Sequence, residues 1–433
     1  MNIGVVGTGY VGLVAGACFA ESGNAVVCVD IDTDKVDKLR QGIIPIYEPE
    51  LPELIERNVR DERLTFSTDL EAAVRKSFIL FIAVGTPTTE SGAADLTAVF
   101  NVARDIGRFM DRYKLVVMKS TVPVGTTERI REIIAGETKQ PFDVVSNPEF
   151  LKQGAAVEDF MKPDRIVVGA DDPRAGKILR DLYAPFVRTG SPVLMMDIRT
   201  SELVKYAANA FLAARISFMN EIANVCEEVG ADVEMIRKGL ASDGRIGPSF
   251  LFSGVGFGGS CFPKDIRALV QTAREKNYTM SILEAVGSVN ANQAQRFVEK
   301  VVKHFSNDLE GKRIAVWGLS FKPRTNDMRD APSIRIIEAL LKEGAMISAY
   351  DPEAGDEARK IFGNRIQYAT NNYNCLEGAD ALLVLTEWQV FRNPNFERMK
   401  SAMRQPVVFD GRNIFDPAHM RQQGFKYSSI GRP

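Results

Sequence analysis

The chain has 433 residues, with 54 Lys and Arg against 56 Asp and Glu and a net charge of -2. That length suffices for two or three domains with their own cores, and the balanced charge gives no basic footprint for nucleic acid or an anionic membrane. Two histidines and five scattered cysteines lack metal-ligand spacing, so no metal is expected and acid–base work falls to Lys, Asp, Glu, Thr and Cys.

The first thirty residues read as a βαβ unit. Asn2 to Val6 is a strand, GTGYVG places Gly7, Gly9 and Gly12 at GxGxxG spacing, a helix runs from Leu13 to Ser22, and Ala25 to Val29 is a second strand closing on Asp30. The glycines allow a tight turn and the approach of a pyrophosphate to helix-terminal N–H groups, with Tyr10 and Val11 in the same loop. Asp30 is placed for ribose hydroxyls and would repel a 2′-phosphate, which favours NAD over NADP. Lys35 reads equally as a ribose contact or as a solvated helix residue.

Further strands follow at Phe78–Val84, Leu115–Lys119 and Asp143–Ser146, then strands opening at Arg165 and Pro192. The first three lead into GTPT (85–88), STVPVGT (120–126) and NPEFL (147–151). Ligands of open α/β sheets lie beyond the carboxyl ends of the strands, so Thr86, Thr121 and Glu149 are candidates. Each alone could equally be a cap or turn residue.

Ser201 to Val229 carries no proline or internal glycine and is predicted to be one long helix, with Lys205 and Asn209 one turn apart on one face. Two donors at that spacing can address one oxygen; a solvated polar patch has the same spacing. Helical signals continue to Leu240. GVGFGGSCFPKD then sets Cys261 behind Gly254, Gly256, Gly258 and Gly259 and before Lys264, with a helix predicted from about Ile266. Positive potential at a helix start beside a lysine favours thiolate, so Cys261 is the candidate nucleophile, against the plainer reading of a small buried cysteine. A helix from Ser281 to His304 precedes a second βαβ unit, Lys312 to Asp351, that retains only Gly318 of the glycine pattern. Its loop SFKPRTNDMRDAP suits an anionic ligand or a solvated face.

Taken in order, GxGxxG, VGTPT, STVPVGT, NPEFL, KxxxN, GGSCFPKD and GLSFKPxTxDxR resemble the UDP-glucose/GDP-mannose dehydrogenase family from Asn2 to about Asn413. FGGSCFPKD with RIGPSF is most similar to the branch that oxidises UDP-glucose. The resemblance implies an α/β protein: two doubly wound Rossmann-like domains joined by a long central helix and a helical middle domain. The boundaries implied are an NAD-binding domain at 1–197, a central domain with the cysteine loop at 198–305, and a UDP-sugar-binding domain at 306–433. It also implies oxidation of UDP-glucose to UDP-glucuronate with two NAD per turnover, through a thiohemiacetal and then a thioester on Cys261. Lys205 and Asn209 match residues that stabilise the oxyanion, Asp265 one that orients water and assists proton transfer, and Thr121 and Glu149 residues that hold and activate water. Substrate contacts map onto Glu149, Phe150, Leu151, Lys152, Lys205, Asn209, Arg245, Phe250, Gly258, Cys261, Lys322 and Arg412. Cofactor contacts map onto the glycine loop with Tyr10, Val11, Asp30 and Lys35, and onto Thr86, Thr121, Glu149, Lys264 and Arg329. Ser249-Phe250 stands where some relatives carry tyrosine, which puts one phosphate contact in doubt. A homodimer through the long helix and a cytoplasmic location are expected, with no membrane or nucleic-acid partner.

Three rivals remain at this point. One is oxidation of another nucleotide sugar, UDP-N-acetylhexosamine or GDP-mannose. A two-electron hydroxyacid dehydrogenase would share the design but would not need Cys261. The last is a nucleotide-sugar-binding protein without turnover, against which the joint presence of Cys261, Lys205, Asn209, Asp265, Thr121 and Glu149 speaks.

Overall fold

The apolar runs of the sequence become the inner strands of two open sheets. The computed structural model describes residues 1–187 and 190–433. The first sheet contains β1 (Asn2–Val6), β2 (Ala25–Val29), β3 (Leu64–Ser67), β4 (Ile79–Ile82), β5 (Lys114–Met118), β6 (Phe142–Ser146), β7 (Ile166–Gly169) and β8 (Val193–Met196). Their order is β3-β2-β1-β4-β5-β6-β7-β8. Strands β1 to β6 are parallel, whereas β7 meets β6 antiparallel at Ser146 and Gly169, and β8 follows β7 in parallel. Strands β4 and β5 are buried along their whole length. That is why 79–82 and 115–118 read as unbroken apolar runs: helices cover both faces of a parallel sheet.

One face packs the aromatic cluster of Phe19, Phe81, Phe160, Tyr183 and Phe186; the other packs Val74, Ile82, Val99, Ile106, Val116, Ile130 and Ile134. Each fully buried side chain of this size contributes about 1.5–3 kcal/mol. The order reverses between β1 and β4, which places the glycine turn after β1 at the switch point where ligands enter such sheets.

The second sheet contains β9 (Arg313–Trp317), β10 (Met346–Tyr350), β11 (Gln367–Tyr368), β12 (Ala381–Val384), β13 (Val407–Asp410) and β14 (Lys426–Ser429). It is wholly parallel, in the order β11-β10-β9-β12-β13-β14. The chain divides into two units: Met1–Ala208 with Arg267–Thr272, and Asn209–Ile266 with Ala273–Pro433. Each unit holds one sheet.

Local chemistry fixes the helix starts. Asp32, Asp69, Asp172, Asp232, Asn395 and Asp416 each accept a hydrogen bond from an N–H of the first turn they precede, worth about 1 kcal/mol apiece. The long helix runs over Ile198–Val229, starting three residues before the predicted Ser201. Asp197 accounts for the earlier start, accepting from the Thr200 N–H (2.9 Å) and hydroxyl (2.6 Å). Its 32 residues make it about 48 Å long. The helix predicted from Ile266 also begins earlier, at Phe262; Pro263 sits in its first turn, where no backbone donor is lost to it.

Candidate active site

In the first unit, the turn after β1 is shaped by contacts that only glycine permits. Gly7 has φ +102°, and a Cβ there would lie 2.6 Å from the Ala83 carbonyl oxygen; one on Gly12 would lie 1.9 Å from the Gly7 carbonyl. At Gly9 a Cβ would meet nothing within 4 Å, so that side of the turn is open. Gly9 is followed directly by the helix Tyr10–Glu21, with Val11 in its first turn and no side chain capping its N–H groups. An open glycine turn on an uncapped helix start is a site for an anion.

Beside it, Asp30 follows β2. One carboxylate oxygen accepts from the Thr8 N–H (2.8 Å), the Thr8 hydroxyl (2.7 Å) and Lys35 Nζ (2.9 Å), and the other from the Asp32 N–H (3.2 Å). Partial burial pushes the carboxyl up, but the Lys35 and Thr8 donors outweigh it and hold it at about 2. Lys35 is therefore drawn to the acid rather than left in solvent. Tyr10 donates to Glu48, whose carboxylate also accepts from Gly154 N–H (2.6 Å) and Ala156 N–H (2.7 Å). Burial, with Glu48 adding to it, pushes the Tyr10 phenol far above its usual range.

The loops after β4, β5 and β6 meet at the same edge. Thr86 Oγ1 donates to the Thr121 carbonyl at 3.0 Å. Glu149 is 6% exposed and Lys205 4%, and they form an ion pair of 3.0 Å. The second Glu149 oxygen accepts from Leu151 N–H at 2.6 Å. Burial alone would raise this carboxyl; the charge of Lys205, the Leu151 N–H and the charge of Lys119 reverse it, so Glu149 is held below its ordinary range. The Phe150 ring lies between two cations, with the Arg165 guanidinium 3.8 Å and Lys205 Nζ 5.3 Å from its centroid. Lys152 is exposed and paired to Asp159 at 3.0 Å.

In the second unit, Cys261 immediately precedes the helix Phe262–Arg274. It is partly exposed, whereas Cys18, Cys28, Cys226 and Cys375 are buried. Burial pushes the thiols of Cys28 and Cys375 up to about 12. Ser260 Oγ lies 3.7 Å from Cys261 Sγ. Four residues after the cysteine, the buried Asp265 accepts a hydrogen bond from the Asn209 side-chain amide at 2.6 Å and is ion-paired with Lys264 Nζ at 2.8 Å.

Close packing fixes the glycines before the thiol. A Cβ on Gly258 would lie 2.4 Å from the Asp330 carbonyl oxygen, and one on Gly259 2.8 Å from the Phe321 ring. The Gly259 N–H donates to the Arg329 carbonyl at 2.8 Å. Phe321 is the hub of this cluster: Lys322 Nζ sits 5.6 Å from its ring, and Arg412 donates to its carbonyl at 3.1 Å and to that of Leu385 at 2.8 Å. Phe250 holds a left-handed backbone, φ +60°, with its ring 6.1 Å from Phe262. Arg329 pairs with Asp327 at 2.7 Å. Arg245 is not brought into this cluster; its side chain is 90% exposed and lies on Asp243 at 2.6 Å.

The turn after β9 shows why the second sheet lacks the first one's cradle. Asp351, the counterpart of Asp30, accepts from Leu319 N–H (2.7 Å) and Ser320 N–H (3.0 Å). Asp30 likewise accepts from the Thr8 N–H of the first turn, but there the helix follows Gly9 directly, whereas here the next helix starts only at Pro332.

Models of three domains of one family match the chain in order. The NAD binding domain of the UDP-glucose/GDP-mannose dehydrogenase family matches residues 1–187, its central domain 199–292 and its UDP binding domain 315–417. The chain belongs to this family. UDP-glucose 6-dehydrogenase TuaD of Bacillus subtilis (strain 168) is 48% identical to this dehydrogenase over 434 residues, covering 100% of this chain and 93% of that one. The UDP-glucose 6-dehydrogenase of Pseudomonas aeruginosa (strain PAO1) is 47% identical, covering 100% and 98%. Among solved structures, a UDP-glucose dehydrogenase from Pyrobaculum islandicum superposes with a TM-score of 0.92 at 38% identity, covering 100% and 98%. The dehydrogenase uses NAD, and the open turn at Gly9, the uncapped helix and Asp30 with Lys35 fit that dinucleotide.

Three charged residues that hold these loops carry no sequence motif of their own. Glu48 ties Tyr10 to the segment after Glu149. Glu202 accepts from Gly125 N–H (2.6 Å), Thr127 N–H (2.8 Å) and the Thr127 hydroxyl (2.6 Å), fixing the end of the Thr121 loop. Lys119 is buried and donates to Asn147, two residues before Glu149, at 3.0 Å. Only Glu202 leaves a trace in the sequence, three residues before Lys205 and so on its face of the helix.

Proposed function

We propose that this family member is a UDP-glucose 6-dehydrogenase, converting UDP-glucose to UDP-glucuronate with two NAD per turnover. The observation that carries the reading is Cys261: a partly exposed thiol at a helix start, behind packed glycines, followed by the buried Asp265 and Asn209 with Lys264 paired to that acid. The 47–48% identity to UDP-glucose 6-dehydrogenases across the whole chain supports the choice of sugar nucleotide.

We assign the residues as follows. Gly7, Gly9, Tyr10, Val11, Gly12, Asp30, Lys35, Thr86, Thr121, Glu149, Lys264 and Arg329 hold NAD, which accepts a hydride in each oxidation. The UDP-sugar is held by Glu149, Phe150, Leu151, Lys152, Lys205, Asn209, Arg245, Phe250, Gly258, Cys261 and Lys322 and, from the second domain or a partner subunit, Arg412, with Lys152 and Lys322 supplying the cations for the phosphates. Once the C6 alcohol is oxidised to the aldehyde, the Cys261 thiolate adds to that carbon and forms a C–S bond. The carbonyl oxygen becomes an oxyanion, stabilised by the Lys205 ammonium and the Asn209 amide, as preorganised donors do. Oxidation of this thiohemiacetal restores the carbonyl as a thioester. Water held by Thr121 then attacks, Glu149 takes its proton, and the C–S bond breaks to release Cys261 as thiolate and the sugar as carboxylate. Asp265 orients water and assists proton transfer with Lys205.

We further infer a three-part division at 1–197, 198–305 and 306–433, and a homodimer through the long helix. Phe211, Phe218, Val225 and Val229 stand exposed along that helix at spacings of seven, seven and four residues, a stripe suited to a second copy. A cytoplasmic location fits five cysteines that form no disulfide, and no helix among the described residues is long and apolar enough to cross a membrane.

Cys261→Ser tests the reading, with product followed by mass spectrometry. The variant is expected to form no UDP-glucuronate while retaining UDP-glucose binding. Product at the wild-type rate would overturn the covalent route. Turnover confined to another nucleotide sugar in a substrate panel would overturn the assignment of UDP-glucose.

A further inference from the structure

Lys119 follows β5 and is 4% exposed. A lysine in such a place costs free energy unless its ammonium is used. Its Nζ donates to Asn147 Oδ1 at 3.0 Å and to Tyr183 OH at 3.2 Å, and Tyr183 OH itself donates to the same Asn147 oxygen at 2.7 Å. The Asn147 amide in turn donates to the Val167 carbonyl at 2.8 Å, so this side chain is held at both ends. Asn147 lies two residues before Glu149, in the turn that carries it. The Phe160 and Tyr183 rings close over the ammonium, with centroids 6.0 and 5.6 Å away.

We propose that Lys119 is a positioning residue for the water-consuming half of the reaction: through Asn147 it fixes the turn bearing Glu149, and its charge keeps that carboxylate ionised. The inference rests on the role assigned above to Glu149. Two cations, Lys205 by direct contact and Lys119 through its charge, act on one buried carboxylate. The charged and titratable groups that bear on the pair are Glu149, Lys205, Tyr183 and Tyr10. Burial lowers the Lys119 ammonium to about 7. Lys119 therefore takes up its proton as the medium turns acidic, when Glu149 most needs a neighbouring cation to stay ionised.

The test compares the acid limb of the pH profile of UDP-glucuronate formation in wild type, Lys119→Met and Lys119→Arg, with Glu149→Gln as reference. Lys119→Met removes the charge, so the limb is expected to move up by about one pH unit, the order an opposite charge beside a carboxylate supplies. Lys119→Arg keeps the charge and is expected to restore it. A role in packing alone would lower the plateau and leave the limb in place, and that result would overturn the proposal. If Lys119→Met does not fold, Lys119→Gln, which keeps a polar contact without charge, carries the same expectation. Glu149→Gln is expected to stall with the sugar bound covalently to the Cys261 peptide. If it instead turns over freely, the reading of Glu149 falls; if it stalls while the limb of the Lys119 variants stays fixed, the Lys119 proposal alone falls.

Discussion

At the scale of residues, the partly buried Asp30 and the buried Lys119 illustrate opposite uses of a charge withdrawn from solvent. Asp30 gathers four donors and is held at about 2, so it is ionised throughout the working range. It is expected to discriminate between NAD and NADP. Asp30→Ala should raise the KM for NAD about tenfold or more, since a hydrogen bond to a charged group is worth about 1.5–3 kcal/mol, and should narrow the preference over NADP. Steady-state kinetics with both cofactors checks this, and an unchanged KM for NAD would contradict it. Lys119 is held down, not up. Between about pH 7 and the ordinary lysine value of 10.5 the unfolded chain binds a proton there that the folded chain does not, so this group makes stability rise with pH across that window. The stability difference between wild type and Lys119→Met should grow from pH 7 to pH 9 in urea unfolding, in favour of wild type.

At the scale of elements, the site depends on loops pinned by side chains distant in sequence. Glu202, on the long helix, serves as a cap for the helix Thr126–Glu137, whose own N-cap residue, Gly125, has no side chain. Burial raises the Glu202 carboxyl even though Thr127 and Gly125 donate to it. Glu202→Ala leaves those donors unpaired and is expected to cost about 1–3 kcal/mol, lowering kcat along with the melting temperature. An unchanged melting temperature would contradict the cap. Such pins are what the sequence hides. The glycine turn and Asp30 lie within one local βαβ unit and are legible in order. By contrast, Glu202, whose one mark is the helix face it shares with Lys205, meets its partners 75 and 77 residues away, and Glu48 meets Gly154 106 residues away with no local pattern announcing it. Strand β3, LTFS, alternates buried and exposed at the sheet's edge over four residues, too short to stand out, whereas the fully buried β4 and β5 are plain. Lys119 was within a predicted strand, and nothing in its neighbours tells a buried ammonium from a solvated one.

At the scale of the whole molecule, two sheets with the same winding end differently. The first leads through an open glycine turn straight into an uncapped helix, while the second reaches its next helix only at Pro332 and gathers Lys322, Arg412 and the cysteine loop around Phe321. Of that difference, the loss of the glycine pattern after β9 is legible in the sequence. The apolar stripe on the long helix leads to a further expectation. Phe218→Asp should reduce the mass in sedimentation equilibrium to that of one chain, and an unaltered mass would contradict association through that face. The central claim, oxidation past the aldehyde through Cys261, is tested most directly by counting NADH formed per UDP-glucose consumed, with the sugar nucleotide limiting. Two per sugar, with UDP-glucuronate as product, is the expected result. One per sugar, with release at the aldehyde, would contradict the covalent role of Cys261.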